Sequence, residues 1–556
     1  MNKLNIKNTL LISILGIGIL SACTKLNTPV YSGVESDKFW QTEAQFNAGI
    51  APIYTQMQNL VIWDNVELNE VSTDEIIVPT RGNDWYDNGN HQRIYLHTWT
   101  ATDGPINTAW GNIFTGIGRC NYTLNVIENL TTIPSTIDTS EYVAEIKIMR
   151  AYYYLLALDL FGNVPLVKDF NTDPNTVTNN KSSEVFNFIE SELKASIPNI
   201  STAVDLTTYG KATKWMGYAA LAKLYLNAQV YTGTARWADC ASACDSIILS
   251  NNYTLEANYF DNFKNVNDAS KENIFVVPYD SKYISGNQKE NQTLHYADLP
   301  AFTLLGGMFN GWSSHGDYFY GNFDTAAVYS ASAGKIYKTY NDQRSGQFLF
   351  GQRYSEVQAY PPSQNVLSYS STGAITSDGL ALSYEPNFTA LSNNTIPGKL
   401  TGARNIKYFP EAGTGNGITQ SNDVVVFRLA DILLMRAEAI MRGAAAGSTG
   451  SAVSLINQII QRAYNNSDHN WTAADVTSTK LLAERARELS WEGWRRQDLI
   501  RFDVADGTSL FNGVRNGTRS PNKPADAGTY TRLYPIPDPQ HSANSNLVQN
   551  PGYPSF

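Results

Sequence analysis

Helical apolar spacing is strong in the first and last thirds of this sequence and fades between them, and that uneven distribution limits how the chain can fold. Apolar residues recurring every three or four positions mark one buried face of an α-helix. Phe46, Ile50, Ile53, Tyr54 and Met57 follow this rule, as do Trp110, Ile113, Phe114, Ile117 and Asn121. Two longer runs, Glu141 to Gly162 and Thr213 to Val230, keep it throughout. In the second run, Ala219, Ala220, Ala222 and Ala228 would let a neighbouring helix approach closely, which suits paired-helix packing. Gly162 and Pro165 are the stop signals expected at the end of the first. The pattern returns at Val424–Gly443, Ala452–Tyr464 and Thr479–Phe502. From about Asn252 to Asp423 it is lost, and Gly, Asn, Ser and Tyr dominate around short β-prone pieces such as Glu272–Asp280. Irregular stretches of that length persist in compact domains when they carry function. The expected fold is therefore mostly α: a tetratricopeptide-like helix-pair scaffold with a long irregular loop region and few short strands. No fixed 34-residue period appears, so spacing alone does not establish the repeat.

The N-terminus reads as an address. Lys3 and Lys7 precede an apolar run from Leu10 to Leu20, about half the roughly 20 residues a spanning helix needs. The run ends in Leu20-Ser21-Ala22-Cys23, which is similar to the bacterial lipobox. Residues 1–22 are then a lipoprotein signal peptide, Cys23 is the acylated N-terminus, and residues 23–36 are a polar tether to the membrane. The net charge is −10 and the charged fraction only 17%, with no Lys/Arg runs. That balance argues against nucleic acid, whose binding needs clustered cations. Four cysteines in 556 residues make no disulfide framework. Cys240 and Cys244 lie four apart without histidines at zinc spacing and read as buried thiols, and Cys120 reads as core. No HExxH, no GxSxG and no phosphate loop occurs, so no catalytic residue, metal or cofactor is expected. The one metal the Asn/Asp-rich loops leave open is a structural calcium ion, for example at Asn265–Asp268, which lacks an EF-hand's Gly and closing Glu.

Several segments together carry a family resemblance. They are the lipobox, Glu35–Tyr54, Trp110–Asn121, Glu145–Val167, Phe427–Ala439, Glu484–Phe502 and the closing YPIP…QNPGY from Tyr534 to Tyr553. In this order the chain resembles the SusD/RagB glycan-binding outer-membrane lipoproteins. The resemblance implies four tetratricopeptide-like helix pairs behind irregular loops that carry the binding face. It implies an N-terminal region over 37–265 and a C-terminal region over 266–556, packed as one body. It also implies a role at the cell exterior: capturing oligosaccharide and handing it, without catalysis, to a SusC-type TonB-dependent barrel. Thr24-Lys25-Leu26-Asn27 after Cys23 lack the acidic cluster associated with surface export in this group, so outer-leaflet placement rests on the resemblance alone.

Binding a neutral sugar takes aromatic faces for its C–H face and planar polar groups for its hydroxyls. The loop from Ser72 to Asn90 holds both, with Asp74, Arg81, Asp84 and Asp87 beside Trp85 and Tyr86; sugar-contacting Asp, Arg and Trp of the resembled family lie in a matching stretch. A second cluster, Gly306–Phe323, sets Trp312, His315, Tyr318 and Tyr320 among glycines, with Tyr283 and Tyr296 upstream. Glycine offers no packing surface, so these aromatics read as exposed platforms. Arg344 and Arg353 could add guanidinium forks, although each is more often a salt-bridge partner. The expected glycan site is Asp74, Arg81, Asp84, Trp85, Tyr86, Tyr296, Trp312, Tyr318 and Arg353. Two other functions stay open. One is a lipoprotein glycoside hydrolase using Asp74/Glu75 or Asp84/Asp87; the other is a helical scaffold for peptides or glycoproteins. Glu484, Glu488 and Glu492, near Arg485, Arg487 and Arg495, suggest a solvated or inter-helix ion network.

Overall fold

The computed structural model describes residues 39–326, 328–332, 335–353, 365–367, 382–393 and 400–556. The lipidation residue Cys23, the leader and the tether lie outside them. Among the described residues no helix is long and apolar enough to cross a membrane.

The periodic segments are mostly helical, but Val424–Arg428 is a β-strand and a turn at 489–494, with Trp491 at φ 62°, splits the run from Thr479 to Phe502 into two helices. The longer ones in the first half are α1 (Glu43–Thr55), α2 (Gly104–Glu128), α3 (Thr139–Phe161), α4 (Ser182–Ser196), α5 (Lys214–Leu226) and α6 (Trp237–Ile248). After the irregular region come α7 (Leu429–Met441), α8 (Ala452–Tyr464), α9 (Ser478–Glu488) and α10 (Arg495–Asp506). Short side-chain oxygens start several of them. Thr42, Asp138, Thr213, Ser451 and Thr477 each accept a hydrogen bond from a first-turn backbone N–H that has no partner within its helix.

Each helix from α1 to α7 packs on the next, so the helix pairs form one continuous layered scaffold. Small residues set the spacing. A Cβ on Gly116 of α2 would lie 2.5 Å from the Tyr153 ring of α3, and one on Gly217 of α5 would lie 2.7 Å from Ile197. Ala219, Ala220 and Ala222 are fully buried in α5. Gly162, at φ +67°, ends α3, and the C-terminal segment straps over that end. The Asn550 amide donates to the carbonyls of Phe161 and Tyr534, both at 2.8 Å, and the Tyr534 hydroxyl donates to Leu68 O. The closing QNPGY is therefore a cap on the scaffold.

The strands are short and lie mostly in the irregular region. Asn273–Val277 and Val424–Arg428 pair antiparallel, fully buried, and draw the two ends of that region together. The Ser72–Asn90 loop joins it through two more pairs: Ile76–Ile77 runs antiparallel to Ser313–Ser314, and Thr80–Arg81 runs parallel to Ser392–Asn393. One core cluster extends from Trp40 to Leu547 across both halves of the chain. A smaller one, around Leu294, Phe302, Tyr384 and Phe409, sits under the irregular region. Cys120, Cys240 and Cys244 are free and buried, and burial raises the Cys120 thiol well above its usual range.

The carboxylates of α9 and the turn after it are buried, where the ion network joins the helices to the irregular region. Glu488 accepts from Arg428 at 2.6 Å, from Arg344 at 3.0 Å and from Arg462. Glu492 is shared by Arg428 and Lys407, Glu272 by Arg428 and Arg462, and Arg344 also reaches Glu484 at 2.7 Å. Burial alone would raise the Glu488 carboxyl, but Arg462, Arg428 and Arg344 hold it well below the ordinary carboxylate range. Breaking one partner of such a buried set leaves charges uncompensated, at a cost of roughly 3–5 kcal/mol. Glu488→Gln should therefore lower the urea midpoint by an amount equivalent to about that loss. An unchanged midpoint would show the network to be energetically idle.

Candidate ligand-binding cleft

The loop from Ser72 to Asn90 is built to hold a strained shape. Arg81 and Asp84 exchange backbone hydrogen bonds of 2.9 and 3.2 Å around Gly82, whose φ is +68°. Trp85, Asp87 and Asn88 then all take positive φ, 62°, 41° and 53°. For a residue as bulky as Trp this conformation is an outlier, and it persists when its surroundings over-determine it. Those surroundings come from far along the chain. Trp85 Nε1 donates to Phe309 O at 2.6 Å. Its ring lies where a Cβ on Gly311 would come within 2.2 Å, so only glycine at 311 leaves room for it. The buried Arg81 side chain reaches from the same loop to Gly311 O, Ser313 Oγ and Thr401 Oγ1. The segment it grips is anchored in turn, with Phe309 N donating to Asn291 O and Gly311 N to Gln292 O, both at 2.7 Å.

These contacts enclose a cleft of about 830 Å³. Its walls are Asn83, Asp84, Trp85, Asp87, Asn90 and His91 on one side and Gln288, Gln292, Tyr296, Met308 and Phe309 on the other. Trp63 and Glu67 also line it, from the helical stretch before the loop, with Pro105 at the start of α2. Trp63 stands in a π-helical turn, Leu60–Asp64, a local distortion often found at functional sites. Its ring packs edge-on against Trp312 at 5.7 Å, and Trp312 against Trp491 at 6.4 Å. Phe309 and Tyr296 are 49% and 41% exposed, so two aromatic rings at this cleft stay open to solvent.

The polar groups of the cleft are distinct. The Asp87 carboxylate meets His91 Nε2 at 3.2 Å, and that hydrogen bond lowers the Asp87 pKa. Burial raises the Glu67 carboxyl above its ordinary value. Gln292 and His91 are 2% and 4% exposed, yet Gln292 Nε2 and His91 Nδ1 have no hydrogen-bond partner within the protein. Unpaired buried polar groups are costly, and these two belong to residues that line the cleft.

Of the residues expected from sequence, the structure brings Asp84, Trp85 and Tyr296 together at this cleft. Tyr86 is 56% exposed but does not line it. Five expectations are corrected. Trp312 is fully buried, because Trp63 and Trp491 supply the packing its flanking glycines do not; it supports the floor and is not a platform. Tyr318 is buried with its hydroxyl on Ala486 O at 2.8 Å. Arg353 is buried against Asp298, and Arg81 is spent on holding the loop. Asp74 forms a two-pronged pair with Arg495 at 2.8 and 2.7 Å; burial would raise its carboxyl, but Arg495 lowers it to about 2. Arg344 likewise belongs to the Glu488 network. Sequence reasoning missed Trp63, Gln288, Gln292 and Phe309. Trp63 was hidden inside an apolar helical run, and the others lie in the segment without periodicity.

Among the described residues no group of three or more His, Cys, Asp or Glu could hold a metal ion. At the calcium candidate, Asn267 spends its side chain on Asn262 and Asp423.

The fold has counterparts among known proteins. Residues 250–553 match the model of the SusD family, and residues 31–226 match a model described as starch-binding, associating with the outer membrane. The starch-binding protein SusD of Bacteroides thetaiotaomicron is 26% identical over 511 residues, covering 87% of this chain and 84% of that protein. A SusD-like protein of Bacteroides ovatus is 24% identical over 500 residues, covering 87% and 80%. Among solved structures, surface glycan-binding protein A from Bacteroides thetaiotaomicron, in complex with laminarihexaose, superposes with a TM-score of 0.65. It is 19% identical and covers 92% of this chain and 100% of that one. Because the family model spans residues 250–553, over half of the sequence, the chain belongs to the SusD family.

Proposed function

We propose that this protein is a cell-surface glycan-binding lipoprotein whose site is the cleft between Trp85 and Tyr296. The observation that carries the reading is the combination of Trp63, Trp85, Tyr296 and Phe309 with planar polar side chains, two of which, Gln292 and His91, keep a buried nitrogen without a protein partner. Rings cover the C–H faces of a sugar, and planar polar groups of the lining residues, such as Asn83 and Gln288, take its hydroxyls. Starch and laminarihexaose, named for the SusD relative and for the solved complex, are neutral glucans. The reading requires neither metal nor cofactor. It includes lipidation at Cys23, placement on the outer membrane facing the exterior, and delivery of the oligosaccharide to a SusC-type TonB-dependent barrel. The lipobox supports the lipidation and the family model's description supports the outer-membrane placement, while the exterior orientation and the barrel partnership rest on membership of the SusD family.

The protein is proposed to release its glycan unchanged. One observation favours a second reading: Glu67, its carboxyl raised by burial, shares the cleft with Asp84 and Asp87, as a glycosidase acid would share its site with a second carboxylate. Reducing-sugar release from a bound oligosaccharide decides between them. None is expected, and turnover abolished by Glu67→Gln would establish the hydrolase.

Trp85→Ala should weaken oligosaccharide binding by one to two decades, the loss of a stacking face worth about 1–3 kcal/mol, while the melt stays cooperative. Trp312→Ala should instead lose roughly 3–5 kcal/mol of folding free energy. Calorimetric titration beside a thermal melt separates them. Full affinity in folded Trp85→Ala protein would remove the cleft as the glycan site.

A further inference from the structure

We propose that the cleft discriminates by charge, accepting neutral or amino-bearing saccharides and rejecting those that carry carboxylate or sulfate groups. The inference rests on the glycan-binding reading of the same cleft and adds the class of glycan. The residues lining the cleft include three carboxylates, Glu67, Asp84 and Asp87, and neither lysine nor arginine. Asp84 is exposed and the Asp87 side chain is 55% exposed, so both present their charge at the solvent-facing side of the cleft. His91, the one basic group among the lining residues, is already engaged with Asp87.

The nearby cations are tied down elsewhere. Arg93, at the base of the loop, holds Asp103 at 2.6 Å and Asn88 O at 2.7 Å. Arg81 is buried behind the wall, on Gly311 O and Ser313 Oγ, and Arg404 is buried beside it on Asn310. Neither lines the cleft. A uronate or sulfate entering between Trp85 and Tyr296 therefore approaches Asp84 and Asp87 without a counter-charge. The partnerless Gln292 Nε2, 2% exposed, is a second and independent sign of what belongs there. A neutral sugar brings no charge past the carboxylates. Because Asp84 and Asp87 are exposed, their repulsion is screened by salt: the Debye length falls from about 30 Å at 0.01 M to about 8 Å at 0.15 M.

The test pairs each neutral polymer with its own charged form. Laminarin, amylopectin and galactomannan are compared with derivatives in which part of the primary alcohols is oxidised to carboxylates, by affinity electrophoresis of the full chain. At low salt the oxidised form of any retained polymer should bind at least about tenfold more weakly, with the gap narrowing as salt screens the carboxylates. In Asp84→Asn/Asp87→Asn protein the ratio of oxidised to neutral binding should rise toward one. Equal or stronger retention by an oxidised polymer overturns the inference and leaves glycan binding standing. A weakness that neither salt nor the double variant relieves belongs to the lost hydroxyl and also overturns it. Retention by no polymer, neutral or oxidised, overturns the glycan-binding reading and this inference with it.

Discussion

The fold depends on a buried set of charges centred on Glu488. An irregular stretch of over 150 residues cannot hold its shape with Gly, Asn and Ser packing alone, and here it is fastened to the helices by ion pairs. Arg344 and Lys407 come from the irregular region, Arg428 from the strand that ends it, Arg462 from α8, and Glu484 to Glu492 from α9 and the turn beyond. A second set joins Lys223 of α5 through Asp431 of α7 to Arg485, Asp498, Arg501 and Glu438. Each charge pays a desolvation cost that only its partners offset, so the elements are held in one register. A misplaced segment would leave an arginine buried and alone.

That fastening is what allows a cleft to stand on loops. The walls at 83–91 and 288–309 contain only short helical pieces joined by loops, yet each is tied to something rigid. The first wall is held by Arg81, by the strand pair Thr80–Arg81 with Ser392–Asn393, and by the Trp85–Phe309 hydrogen bond. The floor is a file of indoles, Trp63 on Trp312 and Trp312 toward Trp491, that runs from the cleft to the turn between Glu488 and Glu492. The strained backbone at Trp85 is therefore supported from two distant parts of the chain, and its ring is oriented before any ligand arrives. A preformed ring lowers the ordering cost of binding.

Much of the scaffold was legible because helical period is a local property: residues four apart share a face wherever the helix sits. The ion network was half legible. Glu484 and Glu488 align on one side of α9 by spacing, but Glu492 comes from the turn beyond it, and Arg344, Lys407 and Glu272 join them only through tertiary contacts. The cleft was legible where residue type and loop composition agreed, at Asp84 and Trp85, and at Tyr296. It misled at Trp312 and Tyr318, where neighbouring glycines suggested exposure. Glycine reports what its own position lacks and is silent on what packs from afar; at Gly311 it makes room for the Trp85 ring. Arg81 and Asp74 have the chemistry of sugar contacts, and only three dimensions show that their hydrogen bonds are used within the protein. Trp63 is the converse case, an indole in an apolar helix that a π-helical turn delivers to the surface of a cleft.

The central claim is that the aromatic cleft on the irregular region, and no groove of the helix pairs, receives the glycan. Hydrogen–deuterium exchange with and without the tightest-binding neutral oligosaccharide tests it most directly. The account predicts slowed exchange at residues 83–91, 288–296 and 308–311, with α4 to α6 unchanged. Protection confined to the helix pairs, with those three segments unaffected, would contradict it.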